Sequence, residues 1–136
     1  MAALLNLKIV TPKGITWAGE VSSVTLPGIE GELGILPGHI ALATRICAGE
    51  LTVLQADKHI FLAVGDGFVE VANDQVRVLT DMAVEAEGID EAQALQAQQQ
   101  AEARLKQQLS DEEVATAQAA LAQSAALLKV KKTRRR

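Results

Sequence analysis

The sequence predicts an all-β domain, a sandwich or flattened barrel, followed by an antiparallel hairpin of two α-helices. Up to about residue 84, short apolar stretches alternate with Gly, Asn and Asp, as in strands joined by turns. At 85–88 the composition changes, and no Gly, Pro or aromatic residue follows position 88. Ala and Gln then dominate, and two capping boxes mark two helix starts.

The first half of the chain contains several segments with the pattern of β-strands. Residues 5–9 alternate apolar and polar side chains, which is typical of a half-buried strand, and a Thr-Pro-Lys-Gly turn follows at 11–14. Residues 59–64 are almost continuously apolar, which favours a strand covered on both faces. The other predicted strands are 21–26, 51–54, 69–71 and 76–79.

Two turns separate the later strands. Gly65-Asp66-Gly67 turns the chain after 59–64, and Asp-Gly is a strong hairpin signal, so we expect a hairpin there. Asn73-Asp74 predicts a second turn before 76–79.

Residues 26–39, here called the ledge, contain four glycines and two prolines in the order LPGIEGELGILPGH. Glycine permits positive φ and proline fixes φ, while four apolar side chains can anchor the segment to a core. We therefore expect a rigid segment that displays Glu30, Glu32 and His39. It is either a tight crossover between two strands or a surface that meets a partner.

Two helices are predicted after the composition change, at about 90–108 and 111–130. Asp90 and Ser110 precede them, each with Gln or Glu three residues later, which is the spacing of a capping box. A helix start inside an Ala-rich run requires the chain to turn there. The expected structure is a helical hairpin.

The facing stripes of the two helices are rich in small side chains. The first stripe is Ala94, Ala97, Ala101, Leu105 and Leu109, and the second is Val114, Ala117, Leu121, Ser124 and Leu128. Each Ala in place of Leu forgoes about 2 kcal/mol of burial. We expect either a hairpin that opens at a cost of a few kcal/mol or a small stable hairpin packed on the sandwich.

The net charge of −4 hides an asymmetry between the two ends of the chain. The last eight residues hold six of the 13 Lys and Arg, so residues 1–128 carry seven basic against 17 acidic groups. Such a basic block is typical of a solvated end or an interaction tail. The tail residues are Lys129, Lys131, Lys132, Arg134, Arg135 and Arg136.

No catalytic or metal-binding constellation is found. His39 and His59 lie 20 residues apart without clustered Cys or acidic residues, which makes a poor metal site. There is no Gly-x-Ser-x-Gly elbow and no phosphate-binding loop.

The lone Cys47 has apolar neighbours and is predicted to be buried and inert. An acidic body argues against nucleic acid, and no apolar run is long enough to span a membrane.

Several motifs together resemble one known family. Residues 31–39 (GELGILPGH), preceded by VTLPG at 24–28, are similar to the signature loop of the epsilon subunit of bacterial F-type ATP synthases, whose mitochondrial counterpart is called delta. AGEL at 48–51 and VGDGFVEV at 64–71 are also similar to family motifs. The resemblance extends over nearly the whole chain.

The resemblance implies a fold of about ten strands in two sheets followed by the helical hairpin. It implies a rotor-docking sandwich at 1–86 and a regulatory hairpin with a basic tail at 87–136. The subunit would be a non-catalytic, peripheral part of the central stalk at the cytoplasmic face of the bacterial inner membrane. There it would help to couple proton flow to ATP synthesis, without a cofactor of its own.

The family's partners would meet different parts of this chain. Gly31, Glu32, Leu33 and Gly34 would contact the polar loops of the membrane proteolipid ring, and His39 would lie near the gamma subunit. The hairpin would extend along gamma and inhibit ATP hydrolysis, so that the basic tail reaches acidic segments of the catalytic alpha and beta subunits.

Some family members bind ATP in the closed hairpin through Ile/Leu-Asp-x-x-Arg-Ala and later arginines. Here Ile89, Asp90 and Arg104 remain, but the motif arginine is Gln93 and a later basic position is Gln100. A neutral amide cannot replace the charge-assisted phosphate contact of arginine. We expect weak or no nucleotide binding.

The residues alone leave a second hypothesis. The chain would be a free-standing β-sandwich adaptor that binds an acidic protein through its hairpin and basic tail. Co-purification with gamma and the catalytic head would distinguish the two.

Overall fold

The computed structural model describes residues 3–134, and the side chains of residues 3–133. The strands are β1 (Leu5–Thr11), β2 (Gly14–Val21), β3 (Ser23–Gly28), β4 (Gly31–Ile35), β5 (Leu42–Ile46), β6 (Gly49–Gln55), β7 (Lys58–Val64), β8 (Gly67–Ala72), β9 (Gln75–Thr80) and β10 (Ala83–Glu85). A single 3-10 turn, Ala86–Gly88, leads to α1 (Glu91–Leu105) and α2 (Asp111–Arg134). The predicted β-sandwich followed by a helical hairpin is confirmed.

The strands form two halves that are joined by hydrogen bonds. One half has the order β10-β7-β6-β3-β4, and the other has the order β5-β8-β9-β1-β2. The halves meet where Gly28 of β3 pairs with Ile46 of β5. At the opposite border the side-chain amide of Gln55 donates to the Glu20 carbonyl at 3.0 Å. The sandwich is therefore nearly closed, like a flattened barrel.

An aliphatic core fills the space between the two halves. Along β1, Leu5, Leu7 and Ile9 are buried while Asn6 and Lys8 are exposed, so the predicted alternation of this strand is confirmed. Each fully buried Leu, Ile or Val stabilises the fold by roughly 1.5–3 kcal/mol relative to exposure. The same alternation in the other strands completes a core made of Leu, Ile and Val.

The helices pack on one outer face of the sandwich. α1 packs against α2, and α2 lies on β6 and β7. Ala126 and Val130 of α2 form a second apolar cluster with Ala63 of β7 and Ile89. Leu62, Ala63 and Val64 are all buried because the core covers one face of β7 and α2 covers the other. The expectation of a strand covered on both faces is thus confirmed for this end of β7.

The prediction of a β-hairpin at Gly65-Asp66-Gly67 is wrong. β7 pairs with β6 and β10, whereas β8 pairs with β5 and β9, so the turn crosses from one half of the sandwich to the other. The Thr80 hydroxyl holds this crossover by donating to the Gly65 carbonyl at 2.9 Å. Gly67 is needed because a Cβ there would collide with the carbonyl of Leu79.

Four strands had no sequence prediction: β2, β4, β5 and β10, of which β4 lies within the ledge. β2 is an edge strand whose exposed residues include the apolar Ile15 and Ala18 as well as Thr16, so its sequence lacks the alternation of apolar and polar side chains that would predict a strand. The predicted strand at 21–26 spans the end of β2 and most of β3, which are separated at Ser22. Within residues 3–134, no helix has both the length and the apolarity that a bilayer crossing requires.

Candidate functional site

The first half of the ledge contains the end of β3, the turn and the whole of β4, which together form a β-hairpin. Its strands pair in the register Pro27 with Glu32 and Gly28 with Gly31. The base is fixed by the backbone N–H of Cys47, which donates to the Pro27 carbonyl at 2.8 Å. Gly31 has φ of 126°, which a side chain would strain, and a Cβ on Gly28 would approach the Gly31 carbonyl to 2.6 Å.

The predicted contact residues are not equally accessible on this hairpin. Gly31, Glu32 and Gly34 are exposed, whereas Leu33 is half-buried and packs against the core. Leu33 therefore anchors the hairpin, and the surface is made by its neighbours. Ile29 and Glu30 at the tip are also exposed.

The second half of the ledge is a tight turn pinned to the β8–β9 connection. The His39 N–H donates to the Leu36 carbonyl at 3.1 Å, and the Gly38 N–H donates to the Asp74 carboxylate at 2.7 Å. His39 is half-buried, and its Nδ1 lies 2.6 Å from the Ile40 carbonyl oxygen. These contacts tie the second half of the ledge to the β8–β9 connection.

An apolar row that sequence reasoning missed crosses the outer face of the other half of the sandwich. Ile15 pairs with Val10, Val10 with Leu79, and Leu79 with Phe68, so their side chains share one face. The exposed fractions are 63% for Ile15, 54% for Phe68 and 38% for Leu79. Contiguous exposed apolar side chains of this kind mark interaction surfaces. The residues come from four strands, so the signal appears only once the register is known.

A shallow cleft of about 390 Å³ lies between the ledge and α2. Glu32 of β4, Glu50 and Thr52 of β6 and Lys129 of α2 line it. The cleft brings together a residue of the predicted contact surface and a residue of the predicted basic tail.

The hairpin connection has the predicted capping box. The Glu113 N–H donates to the Ser110 hydroxyl at 3.2 Å, while the Ser110 N–H and hydroxyl donate to the Glu113 carboxylate at 3.3 and 3.0 Å. Arg104 of α1 also donates to Glu113 at 2.8 Å. These hydrogen bonds from Ser110, with the nearby Arg104 charge, lower the pKa of Glu113 below its ordinary value.

All ten residues of the two predicted stripes face inward to some degree. Ala94, Ala101, Ala117 and Ser124 are buried, and the other six are half-buried. The Ser124 hydroxyl is satisfied within α2 by donating to the Ala120 carbonyl at 2.9 Å. The interface is therefore close and buries little apolar volume.

The basic tail residues have different environments at the end of α2. Lys131 donates to the Ala86 carbonyl at 3.3 Å, while Lys129 and Lys132 are exposed. The side chain of Arg134 and the whole of Arg135 and Arg136 lie outside the described residues.

The three candidate nucleotide-binding residues do not converge. Ile89 is buried in the apolar cluster beneath α2, and Asp90 accepts from the Gln93 N–H at 3.1 Å as the N-cap of α1. Arg104 lies 14 residues further on, about 21 Å along the helix axis, in an ion pair with Glu113. No group of His, Cys, Asp and Glu that could hold a metal ion occurs among residues 3–134.

The prediction of a buried Cys47 is wrong. The thiol is exposed beside the ledge, where Sγ lies 3.4 Å from the Pro27 carbonyl oxygen. Strand alternation explains this, because Ile46 before it points into the core.

Comparison with known proteins gives matches over both parts of the chain. The ATP synthase delta/epsilon chain β-sandwich domain matches residues 4–86, and the long α-helix domain of the same chain matches residues 87–132. The ATP synthase epsilon chain of Acidithiobacillus ferridurans is 42% identical over 129 residues, covering 95% of this chain and 92% of its own length. That of Desulforamulus reducens is 43% identical over 121 residues, covering 89% of this chain and 92% of its own.

Solved structures show the same fold at lower identity. A chain in the Euglena gracilis mitochondrial ATP synthase structure aligns with a TM-score of 0.76 at 23% identity, covering 98% of this chain and 82% of that one. A chain in the Tetrahymena thermophila mitochondrial ATP synthase central stalk and c-ring structure gives a TM-score of 0.67 at 12% identity, with coverage of 93% and 96%. With both domain models matched in order and relatives above 40% identity, the chain belongs to the delta/epsilon chain family of ATP synthases.

Proposed function

We propose that this chain is a non-catalytic rotor subunit in the central stalk of an F-type ATP synthase. Its β-sandwich, residues 1–86, docks on the stalk and the membrane ring, and its hairpin, residues 87–136, regulates ATP hydrolysis. Family membership supports the assignment to the complex. The observation that supports the docking role is the exposed ledge, built on a β-hairpin, with Glu32 on its surface.

The ledge is suited to contact the polar loops of a proteolipid ring. Gly31 and Gly34 leave the backbone of β4 open to close approach, and Glu32 offers a carboxylate to a basic loop residue. An exposed ion pair contributes only about 0.2–1 kcal/mol. The shape of the glycine-rich hairpin therefore contributes more to this contact than the charge does.

The gamma subunit docks on the face that carries the apolar row. Ile15, Leu79 and Phe68 offer the exposed apolar surface that a stable partner would cover. His39, the last residue of the ledge, and the 80%-exposed Ile40 directly precede β5 of the same half. The proposed ring contact and the proposed gamma contact would then lie on different surfaces, as a subunit between shaft and ring requires.

The hairpin acts as the regulatory element. In the folded state α2 is held by Ala126, Val130 and the hydrogen bond from Lys131 to Ala86. To extend along gamma, the hairpin gives up these contacts and exposes its basic tail to acidic segments of the catalytic subunits. Nucleotide does not hold the closed state, because Gln93 lacks a positive charge and Arg104 is paired with Glu113.

The complex would place this subunit at the cytoplasmic face of the bacterial inner membrane as a peripheral protein. Contact with the membrane sector would run through protein loops of the ring, because the ledge displays Glu30 and Glu32 at its surface.

Co-purification from the native host tests the proposed function. The tagged full chain should retain gamma and the catalytic subunits. Replacing both Phe68 and Leu79 with Asp should abolish this retention, whereas Leu95→Asp on the exposed side of α1 should not. A circular dichroism spectrum confirms that each variant is folded. The proposal fails if the unmodified chain retains none of these subunits, or if the double variant retains them as well as the Leu95 variant does.

A further inference from the structure

The turn at 36–39, which ends the ledge, has the pattern of a type II turn. Its own hydrogen bond runs from the His39 N–H to the Leu36 carbonyl at 3.1 Å. Pro37 occupies the second position and Gly38 the third, where φ of 85° matches the positive value that this turn type requires. The hydrogen bond of the turn leaves the Gly38 N–H to find a partner elsewhere.

Asp74 supplies that partner from a distant part of the sequence. Its carboxylate accepts from the Gly38 N–H at 2.7 Å, across 36 residues of the chain. Hydrogen bonds to a carboxylate are roughly twice as strong as those between neutral groups. The turn at 36–39 is therefore tied to the sandwich at one point by a strong contact.

The backbone of Asp74 is itself held in place. Its carbonyl accepts from the Asn6 N–H of β1 at 2.8 Å. Ala72 and Gln75, on either side of the two-residue turn, are paired at the end of the β8–β9 ladder. The carboxylate thus extends from a fixed point, and the turn at 36–39 is positioned relative to that point.

The contact favours one orientation of the peptide unit between Pro37 and Gly38. Type I and type II turns differ mainly by a rotation of this central peptide, and glycine at the third position tolerates both. In the observed orientation the Gly38 N–H points at Asp74. The other orientation would turn the N–H away and break the hydrogen bond.

The turn lies between two highly exposed apolar side chains. Leu36 is 64% exposed and Ile40 is 80% exposed. The chain then enters β5, which pairs with β8 of the half that carries the apolar row. The end of the ledge is thus continuous with the half of the sandwich proposed to meet gamma.

We propose that Asp74 is a positioning residue, which holds the turn at 36–39 so that Leu36 and Ile40 are presented to the gamma subunit in one arrangement. The inference rests on the proposed function for the identity of that partner. Asp74 acts through Gly38 and does not need to touch gamma. Because the turn is ordered before docking, binding does not lose the conformational entropy of ordering it.

The effect on the turn is tested on the full-length isolated protein by nuclear magnetic resonance order parameters of the amides at 38–40. They should be about 0.85 in the unmodified chain, as in a rigid backbone, and should fall toward about 0.6 in Asp74→Gly. Glycine adopts the positive φ of this position and removes only the carboxylate. Asp74→Asn should keep the values of the unmodified chain, because asparagine tolerates the same φ and its amide oxygen accepts the same N–H.

Asn73→Gly is the matched control. Asn73 is the other central residue of the same turn and has φ of 52°, but the carboxylate that reaches the ledge belongs to its neighbour. This variant should leave the order parameters at 38–40 unchanged. The inference is overturned if Asp74→Gly leaves the turn as ordered as before, if Asn73→Gly loosens it equally, or if Asp74→Asn behaves like Asp74→Gly.

The effect on docking is tested as the affinity of the full chain for the purified complex from which this chain has been removed. Asp74→Gly should bind about 2- to 10-fold more weakly than the unmodified chain, the range of one net hydrogen bond. Asp74→Asn and Asn73→Gly should bind like the unmodified chain, and a cooperative urea transition confirms that each variant is folded. A loosened turn with unchanged affinity overturns the inference and leaves the proposed function standing. If the unmodified chain does not bind the complex, the proposed function fails, and the docking role of Asp74 fails with it.

Discussion

Ala56 has a left-handed backbone conformation, which is unfavourable for an alanine because of its Cβ. Alanine also has no polar side-chain group that could form a local hydrogen bond to offset this cost. In the turn between β6 and β7, Ala56 and Asp57 have φ of 49° and 65°, as Asn73 and Asp74 do at 52° and 60° between β8 and β9. Both turns are therefore two-residue turns with left-handed central residues. Asn tolerates this conformation, whereas Ala at such a position costs roughly 1–2 kcal/mol.

Replacing Ala56 with Asn should therefore stabilise the protein by about 1 kcal/mol. The measurement is the free energy of unfolding in urea for the full chain. Ala43→Asn, on an exposed position of extended strand β5, is the control and should not stabilise. A lower stability of the Ala56→Asn variant would show that the left-handed turn is not strained.

Glu113 gives the hairpin connection a dependence on pH. Its pKa is lowered in the folded chain by the Ser110 hydrogen bonds and by Arg104, relative to the ordinary value of 4.5. A carboxyl group with a lowered folded pKa contributes stability above its unfolded pKa and loses it as the pH falls through the folded value. The connection between the helices should therefore weaken in acid, below about pH 4.5.

The Ser110 amide resonance in nuclear magnetic resonance spectra should report this titration. In the unmodified chain it should shift with a midpoint below 4.5, the ordinary pKa of a glutamate side chain. In Glu113→Gln, which keeps an acceptor oxygen but has no titrating group, the shift should disappear. A midpoint at or above 4.5 would contradict the prediction.

At the scale of elements, the two helices differ in what holds them. α1 packs on α2, while α2 also packs on β6 and β7 through Ala126 and Val130. The capping boxes and both stripes were predictable because they depend on spacings of three and four residues within one helix. The docking of α2 on β7 was not predictable, because it depends on which face of the assembled sheet carries Ala63.

Overpacking of the helix interface should therefore release α1 before α2. Ala101 is buried between the helices, and Ala101→Leu should destabilise their packing by about 1–3 kcal/mol. Hydrogen exchange should accelerate across Glu91–Leu105 and much less at 126–130. Ala103→Leu, on the exposed side of α1, should leave both regions unchanged. Equal acceleration of both regions would show that the two helices leave the sandwich together.

At the scale of the whole molecule, the sequence predicted the β-sandwich and the helical hairpin but not which strands pair with each other. The ledge was recognised from its glycines and prolines, and Glu32 is displayed as expected. Phe68 and Leu79 were not recognised as members of one apolar row, because their adjacency depends on a register between strands that local patterns do not encode. The failure at Asp66-Gly67 has the same cause, since a turn signal does not say which strands pair.

The charge distribution of the whole chain leads to the last prediction. Six of the 13 basic residues lie at 129–136, at the end of a hairpin held by small side chains and one cluster around Val130. A tail of this charge, released near acidic catalytic subunits, would oppose rotation in the direction of hydrolysis. The purified complex with a chain lacking residues 89–136 should therefore hydrolyse ATP faster than the unmodified complex.

The sandwich has its own core within 5–83, so the shortened chain retains the ledge and the apolar row for assembly. A second complex separates the effect of charge from that of the helices: the full chain with Lys129 and Lys132 replaced by Gln, which leaves the Lys131 hydrogen bond to Ala86 in place. This complex should show an intermediate rate, because Lys131, Arg134, Arg135 and Arg136 keep four of the six basic charges. Equal hydrolysis rates in the shortened and unmodified complexes, with the same subunits present in both, would refute a regulatory role for the hairpin.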